Sequence, residues 1–519
     1  MIGSGYSRSM KVLQKLVGRI AIAAVVTFFL VGCLFTASEF YSLFSLTDSG
    51  YGDSYILYDI LHFQKSGVIY RDLSLPPYLP AQYSPLVYVV YSIPGRIANF
   101  SNQFFGPRLI ALAVFLLCVL IVISIAHSLI PVRTTWLWAL LFAGSMEVMR
   151  DWVLQLRGDF PGILFDLLAI RLLFRQARWA VLLAGLCAGF ATQFKFTYIT
   201  ALIAGSLWLL ACRRWKDFGS FAAAGIVSSF GLYLFFWTRE HRMLQQMLAL
   251  SPGIADVHGW LRVIYRVANQ PVVLLAALAI SPAVMRAGVR WGLLILFAVT
   301  SFSIAALTDI QAGGNVNYFY EALFAIVPAA ILGVRRLAAW AGHRVGAGLF
   351  VTVLFAFFFL PPMGRDFYSN LVSGNGPTGV KSKNEAFLKL EGALRGQHIF
   401  STIPRIALLD AEPALVEPFL LSYLQRLGKF DPAPIFRRIR DGEFDVVITA
   451  PAPKRWRGVP HIGPDLRRAI GASYRPYCVY SGYLLHLPTN RQNNALERSL
   501  NEIGCTPVRC DSPSVCPAW

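Results

Sequence analysis

Charge is what this sequence has least of: Asp, Glu, Lys and Arg make up 14% of its 519 residues, against 56% hydrophobic residues. With a mean hydropathy of +0.53, that scarcity excludes an ordinary soluble enzyme, because there is more apolar chain than one globular core could hide. Also missing are a Walker-type phosphate loop, a dinucleotide-binding glycine fingerprint, a Ser-His-Asp arrangement and internal repeats. Nucleotide-driven chemistry therefore has no support. No cluster of histidines suggests zinc. Acid is scarcer than base, 28 residues against 47, leaving a net charge of +19. In a soluble protein that balance would suggest nucleic acid. In a polytopic membrane protein it marks cytoplasmic loops obeying the positive-inside rule, so membrane lipids and not nucleic acid are the expected surroundings.

What the sequence does contain is long apolar runs. The first extends from Ile20 to about Ala37 behind Lys11, Lys15 and Arg19, and Leu30-Val-Gly-Cys33 within it resembles a lipoprotein cleavage box. The run is long enough to span at roughly 20 residues and no polar mature domain follows, so an uncleaved helix with a cytoplasmic N-terminus is expected. Farther on, basic clusters at Arg171, Arg175 and Arg178, at Arg213, Arg214 and Lys216, at Arg286 and Arg290, and at Arg335, Arg336 and Arg344 bound apolar segments. Two crossings fit between consecutive clusters, which predicts spans at 160–175, 179–192, 197–212, 218–237, 270–285, 291–308, 319–334 and 345–362. Apolar segments at 84–99, 108–128 and 134–149 would put Asp159 on the wrong side if all three crossed. The Pro94-Gly95 interruption makes the first of them the interfacial or re-entrant one. The expectation is a mainly α, polytopic transmembrane bundle of about eleven spans over residues 1–362.

After Pro361-Pro362 the apolar runs shorten to strand length, at His398–Thr402, Phe444–Ala450 and Tyr477–Leu487, separated by helical stretches near 383–394, 433–441 and 464–473. This predicts a small α/β domain outside the membrane, residues 363–490, followed by a Cys-containing tail, 491–519, that would be mobile without disulfides to tie it. Cys33, Cys118, Cys187 and Cys212 lie in apolar segments, whereas Cys478, Cys505, Cys510 and Cys516 permit up to two disulfides in an oxidising compartment, with three possible connectivities.

Candidate functional residues sit at the outer ends of the spans. Asp53 opens the first outer loop, 48–83, which reads as a short helix, then Gly67-Val-Ile-Tyr70-Arg71-Asp72, then a Pro-rich approach through Tyr83-Ser-Pro85. A loop this long in a compact membrane protein is functional or disordered, and its aromatic content argues for order. Asp53 either caps the helix starting at Ser54 or supplies a carboxylate, ionised at neutral pH, that can accept a proton. Asp159 either caps the helix entered through Phe160-Pro161 or acts as a second acid. Lys195 breaks the positive-inside rule, as a phosphate-binding cation or as a snorkelling side chain. Arg71, Arg108, Arg150 and Arg157 are further cations. Arg239, His241 and Arg242 head an amphipathic stretch to about Ala249, a lid or an interfacial helix. Tyr318 and Glu321 follow a Gly-Gly-Asn-Val-Asn loop, where they bind sugar hydroxyls or belong to an aromatic belt. Two carboxylates such as Asp53 and Asp159 suit Mg or Mn if a divalent cation takes part.

Asp53 with Tyr55, the Gly67-x-x-Tyr70 turn and Tyr83-Ser-Pro85 resemble the first periplasmic loop of GT-C glycosyltransferases. Gly106-Pro-Arg108-Leu, Arg157-Gly-Asp159-Phe, the Gly-rich run from Ala184 to Lys195, and Asn315-Val-Asn317-Tyr318-Phe-Tyr-Glu321 extend the likeness in order and spacing. The chain is most similar to the bacterial branch holding lipopolysaccharide and lipid A glycosyltransferases, and more weakly to protein mannosyltransferases. The resemblance implies sugar transfer from a polyprenyl-phosphate donor to a lipid, glycan or protein acceptor on the outer face of the bacterial inner membrane. It further implies Asp53 and Asp159 as catalytic groups, and Tyr55, Arg71, Tyr83, Arg108, Lys195, Tyr318 and Glu321 as substrate-binding groups. Members differ in metal dependence, so a divalent cation stays open. A lipid-linked sugar flippase or a noncatalytic envelope-assembly subunit would share the composition, but a transporter should carry its ionisable residues near helix centres.

Overall fold

A computed structural model describes residues 40–131, 152–249, 259–279, 288–310, 315–342, 377–449 and 462–508, with breaks at 50–51, 99, 269 and 411–413, together with residues 135, 149, 455–456 and 459–460. The first apolar run, nearly all of 134–149, the segment 345–362, Arg150, Arg286, Arg344, Cys33, Cys510 and Cys516 lie outside the described residues. The chain divides into two compact units, one drawn from Met1–Leu43, Arg108–Leu234 and Ile254–Pro377, the other from Phe44–Pro107, Phe235–Gly253 and Thr378–Trp519.

Helices dominate the first two thirds of the chain. α1 (Asp53–Ser66) and α2 (Pro85–Ile97) precede α3 (Phe105–Leu129), α4 (Asp159–Leu173), α5 (Arg178–Thr192), α6 (Thr200–Ala211), α7 (Trp215–Arg239) and the short α8 (Arg242–Ala249). α9 (Val289–Asp309) and α10 (Tyr320–Gly342) follow. Among the described residues four helices are long and apolar enough to cross a membrane: α3, α7, α9 and the stretch Val316–Gly333 that opens α10. They coincide with spans expected from hydropathy, and α4 to α6 lie where three others were expected. The basic residues fall at the end of α4, the start of α5, the end of α6 and the start of α7. In helices that alternate in direction these positions share one end, which leaves Asp159, at the start of α4, at the other.

The first unit packs its backbones closely where glycine allows it. A Cβ on Gly185 of α5 would lie 2.3 Å from the Phe221 carbonyl oxygen of α7, and one on Gly189 would lie 2.0 Å from Ser228 Oγ. Only glycine permits that approach. It brings Thr192 Oγ1 within 2.8 Å of Ser229 Oγ and lets Gln193 Nε2 donate to the Ser229 carbonyl at 2.8 Å. The end of α5, two residues before Lys195, is thereby fixed.

In the second unit, α11 (Pro377–Leu394), α12 (Pro418–Arg426), α13 (Ala433–Arg440), α14 (Pro464–Ser473) and α15 (Asn494–Glu502) accompany a mixed sheet. Its strands are β1 (Ile399–Ser401), β2 (Ala414–Leu415), β3 (Val446–Thr449), β4 (Tyr474–Tyr480), β5 (Tyr483–Pro488) and β6 (Thr506–Pro507), in the order β2-β1-β3-β5-β4-β6. β1 runs parallel to β2 and β3, and the remaining pairs are antiparallel. β1 and β3 are buried at every position because both faces are covered. On one side Phe400 and Val447 meet Ile435, Ile439, Leu466 and Ile470 of α13 and α14. On the other, Ile399, Val446 and Ile448 meet Leu390, Leu394, Leu496 and Leu500 of α11 and α15.

One expectation for this region is corrected. The run Tyr477–Leu487 is not one strand but a hairpin, β4 and β5, turned at Ser481 (φ 47°) and Gly482 (φ 82°). That pair of left-handed residues makes the tight turn favoured between twisted antiparallel strands. In the tail, Asn493 caps α15 by accepting the Leu496 amide at 3.0 Å, and Cys505 is disulfide-bonded to Cys478 beside β6.

The same unit takes in the segment that precedes α3. Leu46 packs into the cluster on one face of the sheet, and Tyr78, whose φ of 61° is unusual for a bulky residue, sends its ring into the other. Asn384 of α11 accepts the Leu46 amide at 2.8 Å and donates to the Phe44 carbonyl at 2.9 Å.

Candidate active site

Asp159 is the most elaborately held carboxylate of the first unit. It is the first residue of α4, but Gly158 occupies the cap position and the Asp side chain turns elsewhere. Its Oδ1 accepts from Lys195 Nζ at 3.0 Å, Tyr198 Oη at 2.8 Å and Asn317 Nδ2 at 3.0 Å. The side chain makes no helix-capping bond. Local sequence makes the arrangement possible. Gly162, one turn into α4, leaves room for the Tyr198 ring, which a Cβ there would meet at 2.4 Å. Asn315 Oδ1 accepts the Val316 amide at 2.8 Å and starts the 3-10 turn Val316–Phe319 that turns Asn317 inward.

The electrostatics are balanced and dry. Asp159 is 1% exposed and Asn317 3%, so the Lys195 charge is what permits a carboxylate here. The Lys195 ammonium also lies 3.9 Å from the centroid of the Tyr318 ring, a cation–π contact. Two acceptor atoms, Asp159 Oδ2 and Asn317 Oδ1, are buried and meet no donor among the described residues. The site therefore has room in its hydrogen bonding for a ligand that brings donors, such as a hydroxyl or an amine. Aromatic rings pack around the neighbouring residues: Tyr320 stacks on Phe160 at 5.8 Å and meets the edge of Trp152, over which the Arg157 guanidinium sits at 4.3 Å.

Glu321 lies beyond this group. Its Oε2 accepts from Thr200 Oγ1 at 2.7 Å and Ser301 Oγ at 2.8 Å, which ties α6 and α9 to α10. Asp166, fully buried on α4, faces it. Asp166 escaped sequence reasoning, although an acidic residue seven positions into a predicted span is a signal in its own right. Tyr198 carried no such signal in a chain this rich in aromatics. Arg108 is fully buried and donates through Nη1 to the Ser42 carbonyl at 3.4 Å.

The second unit holds the remaining candidates. Asp53 is the first residue of α1, after Gly52 (φ 97°), and its Oδ2 accepts the Ser49 amide at 3.2 Å. Tyr55 directs its buried hydroxyl between the carbonyls of Thr402 (3.1 Å) and Val416 (3.2 Å), which anchors α1 to the sheet domain. Tyr83 acts through its backbone, accepting Tyr70 Oη at 2.8 Å and donating to Tyr88 Oη at 3.0 Å. Arg71 Nη2 lies 2.5 Å from Asp59 Oδ1 and 3.2 Å from the Leu79 carbonyl, with the guanidinium 4.6 Å from the Tyr58 ring centroid. Its Nε and Nη1 are buried and meet no acceptor among the described residues. Burial raises the Asp59 carboxyl to about 7, more than the charge and hydrogen bond of Arg71 lower it.

Among the described residues no group of three or more His, Cys, Asp or Glu is placed to hold a metal ion. At Asp159 the charge compensation that a cation would supply comes from Lys195.

No protein-family model and no curated protein matches the sequence. Solved structures do match in fold. The chain is similar to ArnT from Cupriavidus metallidurans in the apo state, with a TM-score of 0.58, 10% identity, and 89% of this chain and 98% of that one covered. The same enzyme bound to undecaprenyl phosphate gives 0.54 at 11% identity, over 89% and 97%. The apo oligosaccharyltransferase of Archaeoglobus fulgidus gives 0.50 at 10% identity, over 92% of this chain and 77% of that one. The chain shares its fold with these structures: mainly helical, with a mixed sheet near the C-terminus.

Proposed function

We propose that the chain is a glycosyltransferase that moves a sugar from a polyprenyl-phosphate donor to a hydroxyl- or amine-bearing lipid, glycan or protein acceptor at the outer face of the bacterial inner membrane. The observation that carries this reading is the Asp159 group: a buried carboxylate whose Oδ1 is fully engaged and whose Oδ2, with Asn317 Oδ1, waits for a donor. The fold shared with an enzyme crystallised with undecaprenyl phosphate supports the donor class.

The transfer breaks the bond between the sugar's anomeric carbon and phosphate oxygen and forms one to the acceptor. The acceptor proton passes to a carboxylate, and the phosphate leaves as the polyprenyl monoester. Asp53 is the candidate base or acceptor-orienting group, and Asp159 positions the incoming hydroxyl or amine. Lys195, and Arg71 whose Nε and Nη1 meet no acceptor among the described residues, are the candidate cations for the departing phosphate. Tyr318 offers a surface for the sugar, Glu321 and Arg108 support the site from within the bundle, and Tyr55 and Tyr83 hold the first outer loop in shape. Exchanging Asp53 for Asn should abolish sugar transfer with expression intact, and full activity would sink its role. Mass analysis of envelope glycans from a deletion strain identifies the sugar and the acceptor.

A transporter of lipid-linked sugars is the second reading, favoured by one observation: Asp166, midway along α4 and away from its ends, is fully buried. Asp166→Asn distinguishes the two, because it would stop translocation of a labelled lipid-linked sugar in vesicles if that reading holds.

A further inference from the structure

Between α7 and the end of α8, three polar side chains hold the segment around Arg71, two of them through its backbone. Glu240 Oε2 accepts the amides of Ile69 (2.8 Å) and Tyr70 (2.6 Å). Arg242 Nη2 pairs with Asp72 Oδ2 at 2.7 Å. Gln246 Nε2 donates to the Arg71 carbonyl at 2.6 Å, while its Oε1 accepts the Ala81 amide at 2.9 Å. One residue of this clasp thus grips each of Tyr70, Arg71 and Asp72, and the Gln246 amide joins the two ends of the loop from Arg71 to Ala81 as a strand's peptide group would.

The sequence explains why this segment does it. α8 is a short amphipathic helix whose inward side carries Met243 (0% exposed) and Gln246 (1%), three residues apart and so on one face. A glutamine that deeply buried is costly unless both its oxygen and its nitrogen are used. Here both are. The exposed ion pair to Asp72 adds little by itself. The work falls on the buried bonds of Glu240 and Gln246. Their effect is to fix the backbone on either side of a guanidinium that is itself held by Asp59 and Leu79 and keeps N–H groups unengaged.

We propose that Gln246, seconded by Glu240, is a positioning residue that presets Arg71 for an oxyanion of the phosphate class. α8 is then a clasp on the first outer loop rather than a cover over the donor. The inference rests on Arg71 receiving the donor phosphate. It is tested on the purified full chain in detergent, with undecaprenyl phosphate as the probe and amide hydrogen exchange as a second measure. Gln246→Leu should speed exchange across residues 69–81 and weaken probe binding about tenfold, as expected for loss of hydrogen bonds to buried groups. In an Arg71→Met background, already weak in binding, Gln246→Leu should weaken it no further, because the two residues act through one group. The proposal is overturned if exchange across 69–81 is unchanged, if Gln246→Leu weakens binding as much without Arg71 as with it, or if Arg71→Met binds like the unaltered chain. Failure of the transferase reading would look different: an unaltered chain that binds the probe but transfers no sugar.

Discussion

The two units hold their charged groups in opposite ways. In the first, Asp159 is gathered by side chains within about 160 residues of it, and the partners hang on helix ends fixed by helix packing. In the second, Arg71 is set by a loop that has almost no secondary structure of its own and is gripped by residues 170 and 175 positions away. The rigid bundle needs few dedicated bonds to place a side chain. The loop needs a clasp, a buried ion pair and two rings sunk into a separate core. Helix packing positions by shape, whereas a loop is positioned only by what it is tied to.

The contrast predicts where damage is largest. Asp159→Asn should lower transfer on the order of 10²–10⁴-fold, the range for losing a group that orients or exchanges a proton, with a loss of stability as well because the Lys195 ammonium loses its carboxylate partner; near-normal rates in the folded variant would remove Asp159 from the chemistry. Lys195→Met acts on stability as well as on phosphate binding. It strands a buried carboxylate and should cost about 3–5 kcal/mol, most of it recovered in the double variant with Asp159→Asn. Thermal unfolding in detergent measures both, and equal losses in the single and double variants would contradict the pairing.

The loop responds to pH. Asp59 has a folded-state pKa of about 7, above its ordinary value. Its contribution to stability is therefore greatest below about pH 4, falls as pH rises toward 7 and is flat beyond. Asp59→Asn should remove that slope, and an unaltered slope would assign it to other groups. The smallest effect is expected from Tyr55→Phe, which removes one hydroxyl from between two carbonyls and should cost about 1–2 kcal/mol of the second unit. Limited proteolysis within residues 44–107 reads that loosening, and unchanged cleavage would mean the anchor is redundant.

The same contrast explains what could be read in advance. The helices of the first unit announce themselves by hydropathy, and Lys195 by standing against the positive-inside rule. Asp159 and Asn317 lie at span ends, where polar residues draw notice. Tyr198, Thr200 and Ser301 do not, because hydroxyls in a membrane sequence are ordinary until a partner is known. In the second unit α11, α13, α14, β1 and β3 were legible by period, whereas α12, α15 and the two-residue edge strands β2 and β6 were not, and the two-residue turn at Ser481-Gly482 was too brief to interrupt the apolar run of the β4–β5 hairpin. The clasp was not legible. The segment 239–249 read as a lid or an interfacial helix because amphipathicity reports which face is buried and not against what, and no local pattern links Gln246 to Arg71.

The Tyr55 anchor has a consequence for how the chain is made. Thr402 and Val416 are synthesised 347 and 361 residues after the tyrosine they hold. At about 5–20 residues per second the ribosome supplies them roughly 20–70 s later. For that interval the N-terminal loop waits, translated but without the core that receives Tyr55 and Tyr78. A chain cut short before Thr402 would carry the loop without the two carbonyls that hold Tyr55.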